Sequence, residues 1–310
     1  MSKQFRVLAA VVVVLATTAL SSAQNAKAVF NQLDKDKDGF VQLQDVPRKL
    51  RDRVADLDIN EDGQISSKEM KKLRGLDDRK NRINKRGSEP TFADVAYSGN
   101  FDRSKMDVWL PETANGATPI VVYFHGGSFR KGDKNRVRKG ELIGLPQRGI
   151  ALASVNYPLE AHIEADEPWG HLPIIFDETR KAIAYIRANA VQWGIDPDRI
   201  VLAGSSAGAV ISKYLAYAKK EDVEAVLALQ TPYPVDLVIN EITFGSPELF
   251  LFTRSGPNDR THHPRYAQDL YDQCLKVGMD CHLYGREISG LPQLKEGETI
   301  LDVVAQQLDW

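Results

Sequence analysis

The stretch Arg199-Ile-Val-Leu-Ala-Gly204-Ser205-Ser206-Ala207-Gly208 constrains the fold more than any other part of the chain. An apolar run of strand length ends in small residues, and an alanine-rich helical pattern follows at once. Small residues on both sides of Ser206 permit a turn that is too sharp and crowded for larger ones. That turn sets the Ser206 hydroxyl at a helix N-terminus. From residue 91 onward the same alternation recurs, with β-rich runs at 107–110, 120–124, 151–157, 200–203, 225–229, 249–253 and 281–284. The clearest helical stretches are 174–193, 207–220, 264–277 and 299–308. This pattern predicts an α/β fold, a mainly parallel sheet with helices on both faces. Functional residues then belong beyond the carboxyl ends of the strands.

A second motif, Val121-Val-Tyr-Phe-His125-Gly126-Gly127-Ser128-Phe129, ends another apolar strand about 80 residues upstream. Gly-x-Ser-x-Gly alone also describes an ordinary turn capping a helix. Together the two motifs resemble the α/β-hydrolase superfamily, in particular its hormone-sensitive-lipase-like and acetyl or feruloyl esterase branches. Ser154-Val-Asn156-Tyr157 and Gly194-Ile-Asp196-Pro197-Asp198-Arg199-Ile200 extend the likeness over residues 91–310. The resemblance implies the α/β-hydrolase fold and a serine carboxylesterase that works through an acyl-enzyme on Ser206. It implies oxyanion donors from the backbone N–H groups of Gly127 or Ser128 and of Ala207, with His125 holding the loop. The implied substrates are small acyl esters, including esters carried on polysaccharides. Two positions depart from the family pattern, Ser128 and Ala209, where glycine is frequent. Asp259 falls where the family places its catalytic acid, although a carboxylate there also suits a turn or helix cap.

The base is harder to place. It should follow the last strand, yet Gly285-Arg-Glu287-Ile-Ser-Gly290-Leu-Pro292-Gln-Leu-Lys-Glu-Gly297 contains no histidine. A serine hydroxyl is a poor nucleophile without a base within reach. Of the six histidines, His125 belongs to the glycine loop, His282 to the last strand, and His162 and His171 flank an acidic loop where they read as solvated. His262 and His263 remain, in Asp259-Arg-Thr-His262-His263-Pro264, two strands from Ser206 or about 10 Å at ~4.8 Å per strand. Either one of them is the base, oriented by Asp259 or Asp236, or the His-His-Pro run only starts a helix, with Pro264 in its first turn. Asp177 and Glu287 read as structural or surface carboxylates. The competing function is a non-catalytic binding protein on a hydrolase scaffold.

Upstream, Asp34, Asp36 and Asp38 occupy positions one, three and five of a twelve-residue loop, with Gly39 at the turn, Phe40 at position seven and Asp45 at position twelve. Asp58, Asn60, Asp62, Gly63, Gln64 and Glu69 repeat the arrangement 24 residues later. Such spacing surrounds a hard cation with oxygen, and a glutamate at position twelve closes the shell with both its oxygens. Asp45 is one methylene shorter, so the first loop should hold calcium less well or favour Mg²⁺. The alternative is a pair of solvated Asp-Gly turns. Val41 and Ile65 share position eight, and Val46, Leu50, Val54 and Leu57 recur at helical spacing between the loops. The pair resembles the tandem EF-hand of exported bacterial proteins, close-spaced as in a dockerin. That implies a small all-α, calcium-binding module over 24–74, serving as a spacer or as a contact for a docking partner. A unit this small should draw part of its folding free energy from the metal.

Lys3 and Arg6, the apolar run 7–20 and the small residues before Ala23 predict a secretory signal over 1–23 and export to the periplasm or beyond. The run is shorter than the roughly 20 residues needed to span a bilayer. Residues 75–90 are charged and read as a linker. A net charge of -2 argues against a nucleic-acid surface. Cys274 and Cys281, the only two cysteines, are either one bridge or two free thiols.

Overall fold

The computed structural model describes residues 34, 36–42, 46, 64–66 and 89–310, apart from 113–115, 141, 234–235, 287 and 289. The signal segment, the helices expected around the calcium loops and most of the linker lie outside the described residues. The chain divides into two units, Met1–Lys85 and Arg86–Trp310.

In the smaller unit β1 (Phe40–Gln42) pairs antiparallel with β2 (Gln64–Ser66), and Val41 lies opposite Ile65. These are the residues that follow the two turn glycines, so the ladder joins the two loops back to back.

The larger unit is built on an eight-stranded sheet. Its strands are β3 (Phe92–Ala96), β4 (Lys105–Trp109), β5 (Thr118–Phe124), β6 (Ala151–Val155), β7 (Ile195–Ser205), β8 (Ala225–Leu229), β9 (Glu248–Thr253) and β10 (Cys281–Gly285), in the order β10-β9-β8-β7-β5-β6-β4-β3. The ladders among β5 to β10 are parallel, and β4 runs antiparallel to both its neighbours. Around it lie α1 (His171–Trp193), α2 (Ala207–Lys213), α3 (Asp236–Ile239), α4 (Arg265–Val277) and α5 (Ile300–Gln307).

Every residue of β5 and β6 is buried, which explains their mainly apolar sequence: strands covered on both faces need no polar alternation, and Ser154 of β6 is satisfied by donating to the Lys134 carbonyl at 2.8 Å. Successive side chains still point to opposite faces. Ile120, Val122 and Phe124 enter one core with residues of α1, α2 and α4, while Val121 and Tyr123 enter another with Ile300 and Val304 of α5.

Two elements differ from the sequence expectation. The edge strand β3 was not expected, because Phe-Ala-Asp-Val-Ala carries little β pattern; it is held by β4 and by Phe92 stacking on Trp193 at 5.4 Å. The helix expected over 207–220 is α-helical only to Lys213 and widens into a π-turn over Tyr214–Ala218, with Lys219 N–H bonded to the Tyr214 carbonyl. The wide turn seats fully buried Tyr217, whose hydroxyl donates to the Pro247 carbonyl at 3.2 Å, and stacks Tyr214 on Phe176 at 4.0 Å. Both cysteines are free thiols, with Cys274 buried and Cys281 half-buried.

Candidate active site and metal loop

Ser206 stands between β7 and α2 with φ 55 and ψ -117, a conformation that costs a non-glycine residue about 1–3 kcal/mol. Its N–H donates to the Leu229 carbonyl at 3.0 Å, and its carbonyl receives Val210 N–H at 3.1 Å, the first bond of the helix. The turn is crowded as its small residues foretold. A Cβ on Gly208 would lie 1.9 Å from the Phe124 carbonyl oxygen, and one on Gly126 would lie 2.6 Å from the Ser205 oxygen and 3.2 Å from the Ser206 Cβ. The His-Gly-Gly loop is therefore pressed against the serine turn, an approach open only to glycine.

The loop after β9 reaches back across β8 to this serine. His262 Nε2 lies 2.9 Å from Ser206 Oγ, and His262 Nδ1 lies 3.2 Å from Asp259 Oδ2. Asp259 Oδ1 accepts the N–H groups of Thr261 and His262, each at 2.9 Å, and Ser255 Oγ donates to Oδ2 at 2.7 Å. These donors, the His262 N–H first and the Ser255 hydroxyl next, hold the Asp259 carboxyl down at about 2. An ionised Asp259 accepts only, so Nδ1 carries the imidazole proton and Nε2 presents its lone pair to the serine hydroxyl. Gln230 Nε2 donates to Ser255 Oγ at 2.8 Å and its Oε1 accepts Arg254 N–H, tying the end of β8 to the loop. Sequence reasoning does not find Ser255 or Gln230; a hydroxyl four residues ahead of Asp259 is the only signal.

The structure thus brings together Ser206, His262 and Asp259. His263 is not in that group: its Nδ1 accepts Arg265 N–H at 3.1 Å and its ring meets Tyr266 edge-on at 6.2 Å, at the start of α4. Adjacent side chains of the loop point different ways, so one histidine faces the serine and the next opens the helix. Asp236 begins α3, and its side chain lies outside the described residues, as does Glu287. His282 bonds Glu248 at 2.6 Å and stacks on Phe250, and Asp177 pairs with Lys219 at 3.2 Å. The expectation that His171 is solvated is corrected: it is buried at the start of α1, with its ring 6.3 Å from Phe129 and 5.9 Å from Trp169. His162 is exposed, its Nδ1 accepting Leu159 N–H at 3.0 Å.

His125 is fully buried, stacked on Tyr157 at 4.3 Å, with Nδ1 donating to the Gly126 carbonyl at 3.1 Å. Burial pushes this imidazole down to about 4, so it is a neutral peg under the loop. Tyr157 Oη donates to the His125 carbonyl at 2.6 Å, and Arg103 bonds the carbonyls of Gly132 and Tyr157. Among the described residues, the N–H groups of Gly127, Ser128 and Ala207 donate to no protein acceptor. They are free to receive an anionic oxygen beside Ser206. The arrangement can deprotonate a serine hydroxyl and present backbone donors to the resulting adduct.

In the smaller unit Asp34, Asp36 and Asp38 each offer an oxygen within 4.8 Å of the others. Asp34 Oδ2 accepts Gly39 N–H at 3.1 Å, Asp38 Oδ1 accepts Phe40 N–H at 2.8 Å, and Asp34 Oδ1 is buried without a partner among the described residues. Three hard oxygens, one of them buried and unsatisfied, fit a calcium ion. Asp45, Asp58, Asn60, Asp62 and Glu69 lie outside the described residues; Gln64 opens β2.

Comparison with known proteins agrees with this layout. The BD-FAE family model matches residues 106–269, and an EF-hand model matches 26–45 and 54–73. An isoprenylcysteine alpha-carbonyl methylesterase from Arabidopsis thaliana is 31% identical over 138 residues, 40% of this chain and 30% of that protein. The chain therefore spans less than a third of that relative's length. Among solved structures, the apo form of Thermogutta terrifontis esterase 2 superposes with a TM-score of 0.57 at 17% identity, covering 69% of this chain and 92% of that one. A truncated form of a carbohydrate esterase from gut microbiota gives 0.54 at 16%, covering 64% and 88%.

Proposed function

Because the chain belongs to the BD-FAE family of α/β-hydrolase esterases, we propose that it is an exported serine carboxylesterase working through an acyl-enzyme on Ser206. The hydrogen-bonded chain Ser206–His262–Asp259 carries this reading. Ser206 Oγ attacks the ester carbonyl while His262 Nε2 takes its proton, and Asp259 stabilises the imidazolium without accepting that proton. The negative charge developing on the carbonyl oxygen meets the N–H groups of Ala207 and of Gly127 or Ser128. Collapse breaks the ester C–O bond, and His262 returns the proton to the departing alcohol. Water then attacks the acyl-serine with His262 again as base, releasing a carboxylic acid and restoring Ser206. A non-catalytic binding protein on this scaffold would be favoured by the lack of a histidine after the last strand. A histidine within 2.9 Å of Ser206 from the preceding loop answers it.

Two of the solved neighbours are the carbohydrate esterase from gut microbiota and an acetyl ester-xyloside bifunctional hydrolase from Caldicellulosiruptor lactoaceticus. Their fold is shared, and small acyl esters on polysaccharides are the substrates we assign to this chain. The EF-hand pair binds Ca²⁺, with Asp34, Asp36 and Asp38 among its ligands, and serves as a stabilised spacer or docking piece.

Hydrolysis of 4-nitrophenyl acetate tests the activity. The expected result is turnover by the wild type and a loss on the order of 10⁴-fold or more in Ser206→Ala. An inactive wild type, or full activity in the variant, would refute it. Export is checked by N-terminal sequencing of protein recovered outside the cytoplasm: a start near Gln24 is expected, and an intact Met1 contradicts it.

A further inference from the structure

Asp259 and His262 stand three residues apart in one loop, so they hold each other before they hold anything else. Asp259 Oδ1 gathers the N–H groups of Thr261 and His262, and Asp259 N–H closes the turn on the Gly256 carbonyl at 3.1 Å. Ser206 stands on other elements, between β7 and α2, and β8 separates its strand from the one that leads into the loop. A nucleophile and a base mounted apart need a reference that both share, because a misplacement of about 1 Å can cost on the order of 10²-fold in rate.

The end of β8 supplies that reference through two consecutive residues. The Leu229 carbonyl accepts Ser206 N–H at 3.0 Å. Gln230 reaches the loop instead: its Oε1 accepts Arg254 N–H, and its Nε2 donates to Ser255 Oγ at 2.8 Å. Gln230 holds φ 54, an uncommon value for a residue other than glycine, and its N–H bonds the Phe252 carbonyl at 2.8 Å. A conformation of this kind persists only where its surroundings hold it. Tyr233 N–H and Tyr266 Oη brace the backbone of the same loop at the Thr261 and Arg260 carbonyls, at 3.0 and 3.1 Å. The Gln230 bond differs from these in acting on a side chain that touches the carboxylate.

These bonds can run in one direction only. Arg254 N–H is a donor, so the amide oxygen of Gln230 faces it and the amide nitrogen faces Ser255. An ionised Asp259 accepts only, so the single Ser255 hydroxyl proton points at Oδ2, at 2.7 Å, and an oxygen lone pair is left for Gln230. No proton travels along the chain. The Ser255 hydroxyl keeps Oδ2 where His262 Nδ1 meets it and, after the His262 N–H, is the group that most holds the Asp259 carboxyl down at about 2.

We propose that Gln230 and Ser255 are positioning residues of this esterase, a one-directional hydrogen-bond chain that orders Asp259, and through it His262, towards Ser206. This rests on the esterase reading above, and two readouts separate the two. kcat and KM on 4-nitrophenyl acetate are measured at pH 8, and the low-field proton resonance of His262 Nδ1–H, assigned by its loss in His262→Gln, is followed in the same proteins. Ser255→Ala removes the hydroxyl and Ser255→Thr keeps one. Gln230→Glu keeps the shape and the bond to Arg254 N–H, but its carboxylate can only accept from Ser255 and so turns the hydroxyl away from Asp259. The expected result is a fall in kcat of about tenfold or more in Ser255→Ala and in Gln230→Glu, with KM within about twofold, and recovery in Ser255→Thr. The double variant of Ser255→Ala with Gln230→Glu should lose no more than Ser255→Ala alone, because both act through one hydroxyl. The resonance should be sharp in the wild type and Ser255→Thr and broadened by exchange with water in Ser255→Ala and Gln230→Glu. A kcat near the wild-type value in Ser255→Ala or in Gln230→Glu, or losses that multiply in the double variant, overturns the proposal. Should the wild type hydrolyse no ester, the esterase reading has failed and the resonance decides alone: broadening in Ser255→Ala supports the ordering of Asp259 and His262, and an unchanged resonance overturns it.

Discussion

Replacing Lys213 by methionine should make the larger unit more stable, by an amount that depends on pH. Lys213 ends α2, is 1% exposed and forms no ion pair or side-chain hydrogen bond among the described residues. Burial pushes its ammonium group down from 10.5 to about 7. A difference of about 3.5 pH units at 1.36 kcal/mol each corresponds to about 5 kcal/mol, an upper bound on the cost of the buried charge. Below pH 7 the folded lysine is protonated and the full cost is present. Between pH 7 and 10.5 the unfolded chain binds the proton that the folded chain has released, so wild-type stability rises with pH through that window. The methionine variant, close in shape and without the charge, lacks this rise. It should exceed the wild type by up to about 5 kcal/mol at pH 6, with the gap closing by about 1.4 kcal/mol per pH unit towards pH 10. Urea unfolding at pH 6, 8 and 10 measures it. Tryptophan fluorescence reports on this unit alone, because Trp109, Trp169, Trp193 and Trp310 all lie in it. A gap that does not change with pH, or a wild type more stable than the variant at pH 6, would refute the reasoning.

His125, held down at about 4 from 6.5, should make stability fall as pH drops from 6.5 to 4, because the unfolded histidine takes up the proton that the folded one refuses. The loss is about 3 kcal/mol, read as the part of the acid slope in urea unfolding that vanishes in His125→Asn; an unaltered slope counts against it. Asp259→Asn, which cannot hold the productive tautomer of His262, should lower kcat on the order of 10⁴-fold while circular dichroism stays unchanged. Retention of most of the activity would remove Asp259 from the mechanism. Ca²⁺ at 100 times its dissociation constant should stabilise the EF-hand unit by about 2.7 kcal/mol, so that EDTA lowers its calorimetric transition in the wild type and less so in Asp34→Ala. No response to EDTA would leave the loops as solvated turns.

The legible parts of this chain are those where local chemistry and long-range packing ask for the same residues. Mainly apolar runs mark β5 and β6 because both faces are covered, and glycines mark the serine turn and the His-Gly-Gly loop because backbones meet there within a Cβ radius. β3 was not legible, since an edge strand that takes its order from β4 and from Trp193 needs little pattern of its own. His262 and His263 could not be told apart in sequence. Which of two adjacent side chains faces Ser206 depends on how Asp259 Oδ1 gathers the Thr261 and His262 N–H groups and turns the loop. The burial of His171 was hidden for a related reason, because its cover, Trp169 and Phe129, comes from a strained turn and from a loop some 40 residues away.

Labelling with a fluorophosphonate probe tests the central claim most directly, because the probe reacts only with a serine that a neighbouring base has activated. The account predicts one equivalent of probe per chain, recovered on the peptide that carries Ser206. Labelling should be abolished in Ser206→Ala and in His262→Gln, and retained in His263→Gln. No labelling of the wild type, or labelling that survives His262→Gln, would contradict it.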